Sequence, residues 1–342
     1  MKTTRLTLAD LNAMLTDAWR LVVTEDVALR IARVITRVHL RRSPGVHVLA
    51  ENLQDLKCAI SFGAARPIVI ASDSRDLIYD LQGMPGIVYL PTINDFVRES
   101  AMEHGIGVAG INNTGGVRTL DSWILELADV DCIGVFMWNG GPYVAVPFGG
   151  REPFFGTNPL AFSIPTDGAP IVADMATSEI AFSALRIALA NHMPLGVNQG
   201  LDQRGKLTFN AAEVIVGSES ARLLPMGGGA KGSALMLLIE VLTGALVGGC
   251  MGREASDEFR PEEFGGLLLA LHVPSFVPIA DFRQRVGTLA RSIRRSLPAD
   301  GIKEIRLPGD VADAREREAL ALGVTEIDHD VLIELREVLS SK

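Results

Sequence analysis

Apolar residues three and four apart run from Leu8 to about Arg20 and again from Asp26 to about Arg41, which predicts two amphipathic helices, the second capped by Thr24. From Pro67 the pattern changes to short β-branched runs punctuated by glycine. Ile68–Ile70, Ile87–Leu90, Gly107–Ile111, Cys132–Trp138, Leu160–Ile164 and Ile171–Ala173 are predicted strands. Asp95–Gly105 and Asp121–Ala128 carry helical spacing between them, so the middle of the chain reads as a mixed α/β layer. Farther on come an apolar core helix after Lys231, a strand at Gly266–Val273, and helices at Ile279–Leu297, Ala312–Leu322 and Asp328–Leu339. The division that follows is a helical part at 1–66, a central α/β part at 67–225, and a part at 226–342 that packs with the first helices.

A chain of 342 residues, 48% hydrophobic, can bury a sizeable core. The amino end lacks the apolar block and cleavage site of a signal peptide. The most membrane-like stretch, Gly232–Cys250, has Glu240 at its centre, and a carboxylate in lipid costs roughly 3 kcal/mol. It is therefore read as a buried helix. A formal net charge of -9, with no basic run, disfavours nucleic acid and anionic membrane as partners. Cys58, Cys132 and Cys250 are too few and too scattered for a disulfide framework or a zinc cluster, and no metal site is expected. These features fit a reducing cytoplasm.

Candidate chemistry enters with three glycine-bearing segments. Gly156-Thr157-Asn158 offers small side chains, a hydroxyl and exposed amides suited to a pyrophosphate or ribose, although a plain β-turn uses the same residues. Asp174 to Ser178 ends a strand and opens a helix, where free N–H groups and hydroxyls meet an anion or simply cap the helix. Gly227-Gly228-Gly229-Ala230-Lys231 lets backbone approach a ligand while Lys231 supplies charge at a helix opening; a flexible loop with a solvated lysine is the plainer reading. No Gly-x-Gly-x-x-Gly turn follows the first strand, so a Rossmann fold is disfavoured.

The run Pro147 to Pro159, the segment Ile171 to Ser178, Pro225 to Ser233, Gly205 to Thr208 and Leu307-Pro308-Gly309-Asp310 together resemble the type 2 malate/L-lactate dehydrogenases, in order from about Leu8 to Leu339. Ile111 to Gly116 is most similar to the branch of Δ1-piperideine-2-carboxylate/Δ1-pyrroline-2-carboxylate reductases. The resemblance implies a non-Rossmann mixed-sheet nucleotide-binding domain inserted into a helical domain built from both termini. It also implies a homodimer with the cofactor near the subunit boundary. Cofactor contacts carried over are Thr157, Asn158, Asp174, Met175, Ala176, Thr177, Gly228, Gly229, Lys231, Gly309 and Asp310. Branch similarity favours NADPH over NADH.

The chain departs from this family where the chemistry is done. Hydride transfer to a ketone leaves an alkoxide that needs a proton donor, which the family supplies from a Ser-His-Gly motif. Here Ser43-Pro44-Gly45 occupies that place, and proline donates nothing. Val48 replaces the family's substrate arginine, Gly115 and Gly116 its later histidines, and Gly229-Ala230 another. Ser43, His47 and Asp174 are the remaining catalytic candidates; Arg41, Arg42, Asn113 and Thr114 are the candidates for substrate, with Arg41 and Arg42 able to grip a carboxylate or merely end a helix. Three functions fit: a reductase of cyclic imino acids, a 2-oxo acid reductase or 2-hydroxy acid dehydrogenase with a replacement acid, or a nucleotide-binding protein without redox chemistry.

Overall fold

A computed structural model describes residues 2–42, 48–63, 68–72, 75–114, 117, 119–139, 143–217, 220–252 and 264–340. Strand β1 (Thr3–Thr7) leads into α1 (Leu8–Trp19), α2 (Glu25–Arg41) and α3 (Val48–Phe62). Thr7 is a working cap, its hydroxyl accepting from the Asp10 N–H at 3.0 Å. Thr24 does stand at the N-cap of α2 but makes no side-chain capping bond, so that part of the expectation is corrected. Helix α3 was not expected. Buried Asn52 and Asp55 interrupt its apolar stripe and blur the 3.6-residue period.

The central layer holds β2 (Ile68–Ser72), β3 (Arg75–Asp80), α4 (Leu90–His104), β4 (Ile106–Asn112), α5 (Asp121–Asp129), β5 (Cys132–Trp138), β6 (Leu160–Ile164) and β7 (Ile171–Met175). Next come α6 (Phe182–Ala190), the short α7 (Ala211–Val214), β8 (Ile215–Val216) and β9 (Ser220–Ala221). The chain then forms α8 (Ala230–Thr243), β10 (Gly266–His272), α9 (Ile279–Arg294), α10 (Asp310–Leu322), β11 (Val324–Asp328) and α11 (His329–Ser340). Ile87–Leu90 is not a strand: Gly86–Val88 forms a 3-10 turn and α4 begins at Leu90. Pro91 in the first turn of α4 favours the helix start, and a fully buried apolar run carries no period to separate helix from strand.

Seven strands form one sheet in the order β2-β3-β4-β10-β5-β6-β7, antiparallel throughout except for the parallel β3–β4 pair. This is a mixed sheet unlike a doubly wound parallel one. Strand β10 lies at its centre, between β4 and β5, so residues beyond 225 complete the sheet rather than only joining the helices. Gly110 on β4 admits the chain after α8, since a Cβ there would lie 2.8 Å from Val247 Cγ1. On the other face, Trp123 of α5 packs its ring 5.0 Å from that of Phe136 on β5.

The chain ends meet in a separate two-stranded sheet, where β1 pairs antiparallel with β11 from Thr3↔Asp328 to Thr7↔Val324. Arg41 at the end of α2 is 2% exposed and binds Asp313 and Glu316 of α10, the second at 2.8 Å. The helix after Lys231 is not the buried core helix expected. Only Gly232, Met236, Ile239, Glu240 and Thr243 of α8 are buried, while Leu237, Leu238 and Val241 stand 54%, 52% and 44% exposed. None of the described helices is long and apolar enough to cross a membrane.

Candidate active site

Strand β7 and the segment that continues it to Glu179 form the hub on which the conspicuous motifs converge. Asp174, on the face of β7 toward α5, accepts from Arg42 Nη2 at 2.6 Å and from the N–H groups of Leu120 and Asp121 at 3.1 and 3.4 Å. Its carboxylate thereby caps the N-terminus of α5, where the helix dipole also favours negative charge. Arg42 reaches Asp121 Oδ1 as well, at 3.3 Å. Burial and the neighbouring Asp121 carboxylate push the Asp174 carboxyl above its usual range, while Arg42 and the Asp121 N–H pull it back.

Three residues on, Thr177 stitches two motifs together. Its N–H donates to the Thr157 carbonyl at 2.9 Å, and its hydroxyl to the carbonyls of Thr157 and Asn158 at 3.1 and 2.8 Å. The Thr177 carbonyl in turn accepts from Met226 N, and Glu179 Oε2 accepts from Gly227 N at 2.6 Å. Asn158, fully buried, donates to Glu240 and to the Met236 carbonyl at 2.7 and 3.0 Å, fastening the 156–158 turn to α8. On the far side, Pro308 O accepts from Val172 N, and a Cβ on Gly309 would come within 3.1 Å of the Val172 carbonyl. Gly309 has φ 92, so both space and backbone require glycine there.

The segment Asp174–Ser178 does not open a helix, because α6 starts only at Phe182. The helix opening suited to an anion is instead that of α8. Gly229 is its N-cap without a side-chain capping bond, and the exposed Lys231 lies in its first turn. These groups fit the phosphates of a nucleotide by charge and by donor supply.

The remaining candidates divide. Met175 is exposed and Thr157 and Ala176 half-buried beside the hub, whereas Thr177 spends its hydroxyl and Asn158 its amide N–H groups within the chain, leaving the buried Asn158 Oδ1 unpaired among the described residues. Asn113 adopts φ 48 after β4 and is half-buried. Thr114 is fully buried and donates to the Met84 carbonyl. Arg41 is turned into its ion cluster with α10, away from Asp174, and Asp310 pairs with Arg294 at 2.6 Å. Ser43, Pro44, His47, Gly115 and Gly116 lie outside the described residues. Val48, which the resemblance sets at the family's arginine position, is 5% exposed in the first turn of α3.

Asp121, Glu179 and Glu240 hold this arrangement and were not singled out for it. Glu240 did leave a signal, since a lone carboxylate amid an apolar helix must find donors if it is buried. It finds them in Asn158 and in the Gly252 N–H, at 2.7 and 2.6 Å.

The family profile described as Malate/L-lactate dehydrogenase matches residues 7–336. Ureidoglycolate dehydrogenase (NAD(+)) of Escherichia coli O157:H7 is 33% identical over 235 residues, 67% of this chain. That alignment spans 65% of the relative's own length. Among solved structures, sulfolactate dehydrogenase from Methanocaldococcus jannaschii has a TM-score of 0.83 at 25% identity, covering 99% of this chain and 97% of that one. The Δ1-piperideine-2-carboxylate reductase from Pseudomonas syringae pvar. tomato has a TM-score of 0.78 at 25% identity, covering 98% and 99%. With its motifs gathered on β7 and the profile matched almost end to end, the chain belongs to the malate/L-lactate dehydrogenase family.

Proposed function

We propose that the protein is an NADPH-dependent reductase of a small cyclic imino acid, a carboxylate-bearing imine, in which NADH is the weaker cofactor. What supports this reading is the gathering of the glycine-bearing motifs around β7 together with Pro44, which the resemblance sets at the place of the family's proton donor. The similarity to a piperideine-carboxylate reductase supports the same substrate class. The nicotinamide supplies hydride. Gly228, Gly229 and Lys231 hold its phosphates at the opening of α8, while Thr157, Met175, Ala176 and the loop at Gly309-Asp310 line its path along β7. Thr177 and Asn158 keep these segments in register. Asp174 fixes Arg42, which together with Asn113 is assigned to the substrate; Ser43 and His47 are the catalytic candidates that the sequence offers. A protonated imine needs no proton at the reacting atom, so hydride addition gives the amine directly.

Calorimetric titration with NADPH and NADH tests the nucleotide reading. Binding is expected with both, stronger for NADPH, and Lys231→Ala is expected to weaken it by roughly tenfold, the worth of one charge-assisted contact. Equal affinity in that variant removes Lys231 from the site.

The exposed apolar face of α8 supports a homodimer. Leu237, Leu238 and Val241, with Leu246 beyond the helix at 56% exposed, form a patch of the kind that subunits cover. Light scattering is expected to return a dimer at micromolar concentration and a monomer for Leu238→Glu. A wild-type monomer overturns this assignment.

A further inference from the structure

Arg42 is shared between two acids. Its Nη2 donates to Asp174 on β7 at 2.6 Å and to Asp121 at the opening of α5 at 3.3 Å, so one guanidinium stands against two carboxylates. The side chains of Asp121 and Asp174 are only 9% and 15% exposed. Among the described residues no second cation pairs with either. Three other arginines of α2 are spent elsewhere: Arg30 on Asp95 and Glu126, Arg37 on Asp129 and Glu316, Arg41 on Asp313 and Glu316. On β6 the residue opposite Asp174 is Ala161, which brings no charge.

Two carboxylates against one guanidinium leave one negative charge in excess, and the N-terminus of α5 offsets only about half of it. Water screens little of the rest at this depth. Burial first and Asp121 second hold the Asp174 carboxyl above its usual range. Arg42 meanwhile keeps a donor in hand, because its buried Nε makes no hydrogen bond among the described residues. A guanidinium with a spare donor beside an uncompensated carboxylate matches a ligand that carries both charges, an anionic carboxylate next to a cationic nitrogen. A 2-oxo acid offers only the first of these.

Resting on the imine reading above, we propose that Asp121 sets the charge class of the substrate: as the second carboxylate on Arg42 it makes the site select a ring nitrogen that bears a positive charge, the protonated form of a cyclic imino acid, over a neutral carbonyl. The charge on nitrogen is lost as hydride adds, so the carboxylate favours the bound iminium more than the transition state. Asp121 therefore acts on binding and on keeping the bound imine protonated. It is a specificity residue and takes no part in the hydride step.

The test compares a permanent cation with a neutral ring of the same shape, 1-methylpyridinium-2-carboxylate and 2-methylbenzoate, titrated by calorimetry into the full chain with NADP+ present. The wild type is expected to prefer the cation by about 10- to 100-fold, the worth of one partly screened charge pair. Asp121→Asn is expected to remove most of that preference and Asp121→Glu to restore it. Imine reduction gives a second readout. In Asp121→Asn the alkaline limb of kcat, which reports the bound imine, is expected to move to lower pH by about one unit, while that of kcat/KM, which reports the free imine, stays in place. A purely structural loss lowers kcat at every pH and moves neither limb, which overturns the proposal. So does a wild type without preference for the cation, whether or not the variant folds. In both cases imine reduction by the wild type leaves the functional reading standing. If no cyclic imine is reduced and neither ligand binds, that reading fails and this inference with it.

Discussion

Replacing Asp174 by alanine is expected to cost the protein roughly 2–4 kcal/mol of stability and most of its activity. The carboxylate is 15% exposed and accepts three donors, the Arg42 guanidinium and two N–H groups at the start of α5. Removing it leaves those N–H groups without their cap and leaves Arg42 to the longer contact with Asp121 at 3.3 Å. Breaking a fully buried pair costs about 3–5 kcal/mol. The figure here is lower because Arg42 is 30% exposed and water can replace part of the loss. Activity falls for a geometric reason, since β7 and the segment that continues it hold the 157–158, 226–227 and 308–309 segments, and a shift of about 1 Å in a reacting group costs on the order of 10²-fold. Asp174→Asn separates the two effects. Its amide oxygen still accepts from the backbone N–H groups, so stability returns in large part while the charge that holds Arg42 is gone. Thermal unfolding and kcat/KM on both variants check this; an alanine variant as stable as the wild type would remove Asp174 from the role of keystone.

How much of this was legible beforehand depended on how far apart the partners lie in the chain. Strands such as Cys132–Trp138 and Leu160–Ile164 appear with the expected bounds because a short β-branched run flanked by turn residues is a local signal. β1 and β11 left no such signal. Each is a five-residue segment that becomes a strand only by pairing with the other across the length of the chain. The same limit applies to side chains. Arg41 and Arg42 are adjacent in sequence and equally suited to a substrate carboxylate. Only the fold shows that Arg41 meets Asp313, 272 positions away, while Arg42 meets Asp174. Glycine motifs were readable as close-approach backbone, yet the spending of Thr177 on Thr157 and Asn158 was not, because a hydroxyl suited to a ligand is equally suited to a neighbouring carbonyl. The apolar pattern of α8 was visible as hydrophobicity alone. Which of its faces would be left uncovered depends on the sheet beneath it.

Pro44→His, which places a histidine where the resemblance sets the family's proton donor, is expected to raise ketone reduction far more than imine reduction. Position 44 follows Arg42 by two residues in the sequence, and Arg42 is fixed by Asp174. A 2-oxo acid gains negative charge on oxygen as hydride arrives, and without a donor it forfeits the 10²–10⁴-fold that general acid catalysis typically contributes. A protonated imine loses positive charge in the same step, ends as an amine, and forfeits nothing. The wild type is therefore expected to favour the imine within a matched pair of cyclic imino acid and 2-oxo acid, and the histidine variant to narrow the gap by about 10²-fold or more. Proline also fixes its own φ and steers the residue before it toward extended backbone, so the substitution changes the path of the chain as well as its chemistry. Pro44→Ala controls for that: it frees the backbone without supplying a proton, and it is expected to leave the imine-to-ketone ratio where the wild type has it. Measured kcat/KM for both substrates in the three forms decides the matter. A wild-type enzyme that reduces the ketone as fast as the imine sinks this reading and makes His47, three residues along, the group to replace next.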